Sequence, residues 1–136
     1  MTGWIANRSV PTATVIPMLS YPEVFEAAEW LRNAFGFRVR LRIGGHRAQL
    51  VYGDGAVILT QGDRPPPSSV FVRVEDADAH HARAAGAGAL VVSEPADYPY
   101  GERQYTVQDP AGHRWTFSQS VADVDPASWG GELVDP

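Results

Sequence analysis

Four histidines, one loop arginine, and a run of tyrosines and acids hold most of the chemistry this chain offers. His80 and His81 are adjacent. Helical neighbours point to different faces, whereas a two-ligand helical site needs a spacing of three or four. Solvated helix surface is expected for both. His113 follows Gly112 in an Asp-Pro-x-Gly turn, and His46 follows Gly44-Gly45. A turn position with the ring in water is expected for His113, and a hairpin tip for His46. Arg103 lies in YGERQY, where a loop enters a strand. Its planar fork of donors suits a carboxylate or phosphate. The competing reading is an ion pair with Asp109 or Glu102, or one across a dimer. Tyr98, Tyr100 and Tyr105 surround the same loop, with Glu94, Asp97 and Glu102 beside them. No two carboxylates have positions that assign a general acid and base. The sequence has no Ser-His-Asp pattern, phosphate loop or dinucleotide fingerprint, and the Gly-Asp-Gly at 53–55 is too short for one.

The whole chain has 136 residues, 44% hydrophobic and 20% charged, the size of one ordinary domain with a core. Its formal charge is −5 with no basic run, which argues against a nucleic-acid groove or an anionic membrane surface. With no cysteine, disulfides, thiolate nucleophiles and thiolate metal sites are excluded. No apolar run approaches the roughly 20 residues of a membrane span. The opening MTGWIANRSV lacks the apolar core of a signal peptide, so a cytoplasmic protein is expected.

The elements that would position these residues follow from pattern. Residues 1–13 carry no period and read as an arm. Thr14 to Ser20 reads as a strand, with Pro17 suggesting an edge. Pro22, Glu23 and Glu26 suit a helix start, Val24, Ala28, Leu31 and Phe35 fall on one stripe, and Gly36 is a stop. Strands are expected at 37–43, 47–52 and 56–61, joined by glycine turns. GDRPPPSS then reads as a stiff connector. A second round follows: strand 70–75, helix 76–85 ending at Gly86, and strands 89–93, 103–108 and 113–119. Residues 120–136 form an acidic Gly/Pro-rich tail with Trp129 as its anchor. Glu23 and Asp76 open the two helices at an offset of 53, so the domain at 14–119 contains two βαβββ repeats, 14–62 and 69–119. The expected fold class is α+β: a concave, cup-shaped mixed sheet with helices outside.

The stretches IPMLSYPEVFEAAEWL, VRVEDADAHHARAAGA and DPAGHRWTF, in that order and within this repeat, resemble the vicinal oxygen chelate superfamily of glyoxalases, extradiol dioxygenases and bleomycin-resistance proteins. The resemblance runs from about Val15 to Gln119. It implies a divalent metal held by four equivalent strand positions that carry His, Gln or Glu. Here these fall on Ile16, Leu59 (or Ile58 with a one-residue slip), Ser69 and Thr116. Hydrocarbons and neutral hydroxyls do not offset the dehydration of a divalent ion. The chain therefore resembles the metal-free branch, in which a dimer binds a drug or metabolite, and no metal or cofactor is expected.

The resulting expectation is a metal-independent homodimer that sequesters or carries a small organic molecule, an antibiotic among the candidates. The alternatives are a glyoxalase-like lyase, isomerase or dioxygenase with an atypical active site, and an interaction module whose cup its own side chains fill. Binding is favoured over catalysis. By strand parity, Met18, Ser69, Phe71, Arg114 and Thr116 should line the cup, with Tyr98, Tyr100 and Tyr105 beside them. Arg103 is the expected anchor and Arg114 the second. Trp30 is a further candidate for the aromatic wall. Trp115 and Phe117 should pack beneath a helix.

Overall fold

In the computed structural model, which describes residues 5–63 and 68–133, the chain divides into two compact units, Met1–Pro66 and Pro67–Pro136. The first contains β1 (Met18–Tyr21), α1 (Val24–Phe35), β2 (Arg38–Ile43), β3 (Arg47–Tyr52) and β4 (Gly55–Gln61). The second contains β5 (Ser69–Arg73), α2 (Ala77–Gly86), β6 (Leu90–Tyr98), β7 (Glu102–Gln108), β8 (Arg114–Ser120) and a short 3-10 turn at Pro126–Trp129. Each unit is one βαβββ module. The sheet orders are β1-β4-β3-β2 and β5-β8-β7-β6, with the outer β1–β4 and β5–β8 pairs parallel and the rest antiparallel. The fold is therefore α+β with two mixed four-stranded sheets. The stiff connector falls partly on residues 64–67, outside the described residues.

Local chemistry sets the boundaries. Strand β1 starts at Met18 rather than Thr14, because Pro17 has no N–H to donate; its carbonyl accepts from Ile58 N at 2.9 Å. Gly36 ends α1 with φ 86°, as expected. For α2 the expected stop was misplaced: Gly86 is still helical, and the left-handed residue is Gly88, with φ 88°. Asp76 caps α2 by accepting from Ala79 N. Strand β6 runs to Tyr98, well past Ser93. It is an edge strand, so it accommodates Pro95, and its register breaks twice.

Helix α1 buries Val24, Ala28, Leu31, Ala34 and Phe35 and packs on β2, β3 and β4. The sheet presents Leu19, Ala48, Leu50, Val57 and Leu59 to this core. Helix α2 packs on β6, β7 and β8, over the fully buried Tyr105, Val107, Trp115 and Phe117. Each such large apolar side chain contributes about 1.5–3 kcal/mol by leaving water. Trp115 and Phe117 lie beneath the helix as parity required.

Two histidines depart from expectation. His80 is 9% exposed, not solvated: its ring lies 4.1 Å from that of Phe117, and its Nδ1 is 2.5 Å from the Tyr105 hydroxyl. Small alanines on α2 let the helix approach the sheet closely enough to enclose the ring. His81 is partly covered, its Nε2 3.0 Å from Glu94 Oε1 but without hydrogen-bond alignment. His113 is buried too, beside the Ser68 hydroxyl, so its ring is not in water. The turn before it is locked by Asp109, which accepts from Ala111 N, His113 N and Trp115 Nε1 at 3.0–3.1 Å.

The N-terminal arm lies against its own sheet. Arg40 Nη2 donates to the Arg8 carbonyl at 2.8 Å and Gln49 Nε2 to the Ser9 carbonyl at 2.9 Å, while Pro11 is buried.

Candidate functional site

Strand alternation gives each sheet one face toward its helix and one away from it. In the first unit, Met18 faces away from α1 and is 56% exposed. Its register partner on β4 is Ile58. Leu59 is paired with Leu19 and fully buried on the helix side, so the position assigned to Leu59 is corrected to Ile58, the one-residue slip. The physical reason is the residue period of two: one step moves a side chain through the sheet.

In the second unit, Ser69 and Phe71 on β5 pair with Arg114 and Thr116 on β8, all away from α2. Phe71 is 57% exposed and Arg114 is exposed. Thr116 faces Thr106 across the β7–β8 ladder, their hydroxyls 3.0 Å apart. Tyr98 shares this face through its register with Glu102. Leu90, Val92 and Tyr98 on edge strand β6 are also exposed. Phe71, Leu90 and Tyr98 thus leave apolar surface on the sheet face that carries no helix.

Three expected site residues lie elsewhere. Tyr105 pairs with Phe117 and is fully buried beneath α2, so it is withdrawn from the ligand wall. Arg103 has the same parity. Its Nε donates to Asp78 Oδ1 on α2 at 3.1 Å and its Nη1 to Asp97 Oδ1 on β6 at 3.2 Å. The Asp97 and Asp78 carboxylates push its pKa above the ordinary value. Arg103 is a strap across the helix side, and its expected role as ligand anchor is corrected. The ion-pair reading survives, but with Asp78 and Asp97 in place of Asp109 or Glu102. Trp30 lies on α1, its ring edge-on to Phe35, not on the away face.

One residue that sequence left undistinguished stands out. Glu102, on the away face of β7, accepts from Ser118 Oγ at 2.5 Å and from Ser120 Oγ at 2.6 Å. The Ser118 and then the Ser120 hydroxyl hold its carboxyl below the ordinary value, against partial desolvation, with the charge of Arg73 adding. The signal was present as the alternation of Ser118 and Ser120 opposite Glu102, but it needs the register to be read. Beside it, Tyr98 and Tyr100 stack at 5.6 Å, and Trp129 meets Tyr100 edge-on at 5.5 Å. Trp129 thus anchors the tail as expected.

The positions where the family resemblance implies a metal hold Ile16, Ile58, Ser69 and Thr116. Hydrocarbon at two positions, and at Thr116 a hydroxyl already engaged with Thr106, do not fit a divalent ion. Among the described residues no group of three or more His, Asp or Glu is placed to hold one elsewhere. No described helix is long and apolar enough to cross a membrane.

Two βαβββ modules with helices on one face of each sheet define a class, and comparison with known proteins agrees. Residues 16–117 match the Glyoxalase/Bleomycin resistance protein/Dioxygenase superfamily. The chain belongs to that family. Among solved structures, TioX from Micromonospora sp. ML1 is 35% identical, with a TM-score of 0.72 over 78% of this chain and 97% of that one. A glyoxalase/bleomycin resistance protein/dioxygenase family enzyme from Burkholderia phytofirmans PsJN shares the fold at 13% identity, with a TM-score of 0.69 over 80% of this chain and 99% of that one. The uncharacterized protein Mb0911c of Mycobacterium bovis is 41% identical over 59 residues, 43% of this chain and 39% of that protein. The matched stretch thus spans about two fifths of the length of such curated relatives.

Proposed function

We propose that this chain is a metal-independent binder of a small organic molecule, of the kind bleomycin-resistance proteins represent, and that it acts as a homodimer. The observation that carries the reading is the pairing of Phe71 with Thr116 on the away face of the second sheet. An exposed aromatic ring lies there beside a neutral hydroxyl pair, where a metal-dependent relative would place an imidazole or carboxylate. Apolar walls supply affinity and a few polar groups orientation. Beside Phe71 and Thr116, Ser69 and Arg114 add polar groups to this face, and Met18 is the counterpart on the first sheet. With Arg103 committed to two aspartates, Arg114 becomes the anchor for an anionic or strongly polar substituent. The four edge strands β1, β2, β5 and β6 motivate the dimer, since proteins cover such edges. A cytoplasmic location is part of the same reading.

Elemental analysis after mild purification is expected to find no stoichiometric divalent metal. One zinc, manganese, iron or nickel per chain at these positions would overturn the reading. A thermal-shift screen of planar aromatic acids supplies the ligand. Phe71→Ala, by losing buried apolar surface, and Arg114→Ala, by losing a charged contact worth about 2–5 kcal/mol in favourable cases, should each then weaken binding by about tenfold or more. Arg103→Ala should lower the melting temperature and leave affinity intact. Turnover of a glyoxalase or dioxygenase substrate by the metal-free protein would favour catalysis instead.

A further inference from the structure

We propose a second small-molecule site in the cleft between the Glu102–Ser120 end of the β7–β8 hairpin and the C-terminal segment, and that it takes an organic cation: an ammonium, quaternary ammonium or amidinium group on a compact apolar body. The cleft does not rest on the reading above. Thr116 and Ser120 are four residues apart on β8, so the Phe71–Thr116 pair and the cleft lie about 13 Å from each other along the strand.

The cleft has an open volume of about 600 Å³, with Tyr100, Glu102, Ser120, Asp123, Pro126 and Trp129 among its walls. Its frame is built, not incidental. Gly101 sits at φ 82°, and a β-carbon there would collide with the Ala122 carbonyl oxygen. The tail can cross the hairpin only because this residue is glycine. Its carbonyl accepts from Val121 N at 2.8 Å and Ala122 N at 3.3 Å, fixing the crossing. Farther on, Asp125 caps the 3-10 turn, and Gly131 N donates to the Pro126 carbonyl at 2.8 Å. A β-carbon on Gly131 would lie 2.9 Å from the Trp129 ring, so the indole is seated directly against the Gly131 backbone.

The walls suit a cation in two independent ways. Tyr100 and Trp129 line the cleft, Tyr98 backs them by stacking on Tyr100, and ring faces attract cations through their quadrupoles. If the cluster served only to anchor the tail, the indole would be buried, yet Trp129 remains 44% exposed. The second feature is charge. Both oxygens of Glu102 are held by serine hydroxyls, which favour the carboxylate form, and Asp123 supplies a second acid. None of the residues lining the cleft is a lysine or arginine. Arg73, on β5, acts on Glu102 through its charge but is not part of the wall. Two carboxylates beside aromatic faces reject an anion and reward a cation with an apolar surround.

The test titrates benzyltrimethylammonium into the full chain, with benzyl alcohol and phenylacetate as neutral and anionic comparators. Binding is followed by NMR at the Trp129 indole N–H and at the amides of Tyr100 and Ser120. Saturable shifts there with the cation are expected, with affinity about tenfold or more above either comparator. The isosteric double variant Glu102→Gln with Asp123→Asn should lose about tenfold in affinity while remaining folded at the assay temperature, its amide spectrum away from the cleft unchanged. Equal binding of a comparator, or unchanged affinity in the double variant, would overturn the proposal. So would cation-induced shifts confined to Phe71 and Thr116. Since the two sites report through different residues, failure here leaves the Phe71 face to stand or fall on its own test.

Discussion

At the scale of single residues, polar groups are the decisive ones, and register decides what each can do. Arg103 and Glu102 are adjacent in sequence, yet one points to the helix and the other away from it. The first is absorbed by Asp78 and Asp97, and the second is cradled by two serines. The carboxyl of Glu102 has a depressed pKa in the folded chain. Its contribution to stability is therefore present above its ordinary value near 4.5 and is lost as pH falls through the lowered folded value. Ser118→Ala removes the largest cause of the depression. The variant should be less stable than the parent at neutral pH, with the gap narrowing as pH drops below the ordinary carboxylate range. Chemical denaturation across that range, with a carbon-13 titration of the Glu102 carboxyl, checks this. A gap that stays constant with pH would show that the Ser118 hydroxyl does not act through the carboxylate.

At the scale of elements, β4 is where a one-residue step changes the molecule most. Leu59 is paired with Leu19 and Ala48 in the α1 core, whereas Ile58 beside it pairs with Met18 on the opposite face. Leu59→Ala should cost about 2–5 kcal/mol, the range for emptying a core leucine site. Met18→Ala, at a half-exposed side chain, should stay within about 0.5 kcal/mol. Urea unfolding of the two variants measures both, and comparable losses would contradict the register. The parallel β5–β8 pair follows the same logic in the second module. There Trp115 and Phe117 alternate with Arg114 and Thr116, and Asp109 braces the preceding turn.

At the scale of the whole molecule, two modules each leave two strand edges and one sheet face without a helix. The proposed homodimer should scatter light as a species of about twice 14.8 kDa across the micromolar range. A mass near the single-chain value would remove it. The arm bears on how such a pair forms. Its carbonyls at Arg8 and Ser9 are engaged by Arg40 and Gln49 of the same chain, so these residues are not offered to a partner as they stand.

From the sequence alone come the repeat, the two helices, most strands and the placing of Met18, Phe71, Arg114 and Thr116 on sheet faces away from the helices. These rest on short-range periodicity, glycine stops and turn chemistry, all of which act between residues close in the chain. At the four positions where the family resemblance implies metal ligands the sequence also carries no imidazole or carboxylate, and residue identity needs no coordinates once positions are aligned. Tertiary structure alone decided the rest. Whether β4 presents Ile58 or Leu59 depends on pairing with β1, some forty residues away. The burial of His80 and His113 depends on how closely α2 and the Ser68 segment approach the sheet. The fate of Arg103 depends on two aspartates, one from α2 and one from β6, and the cleft at Glu102 depends on a tail that crosses at Gly101. Each is a long-range juxtaposition. A strand or helix pattern says which way a side chain points, but not what the rest of the chain brings to meet it.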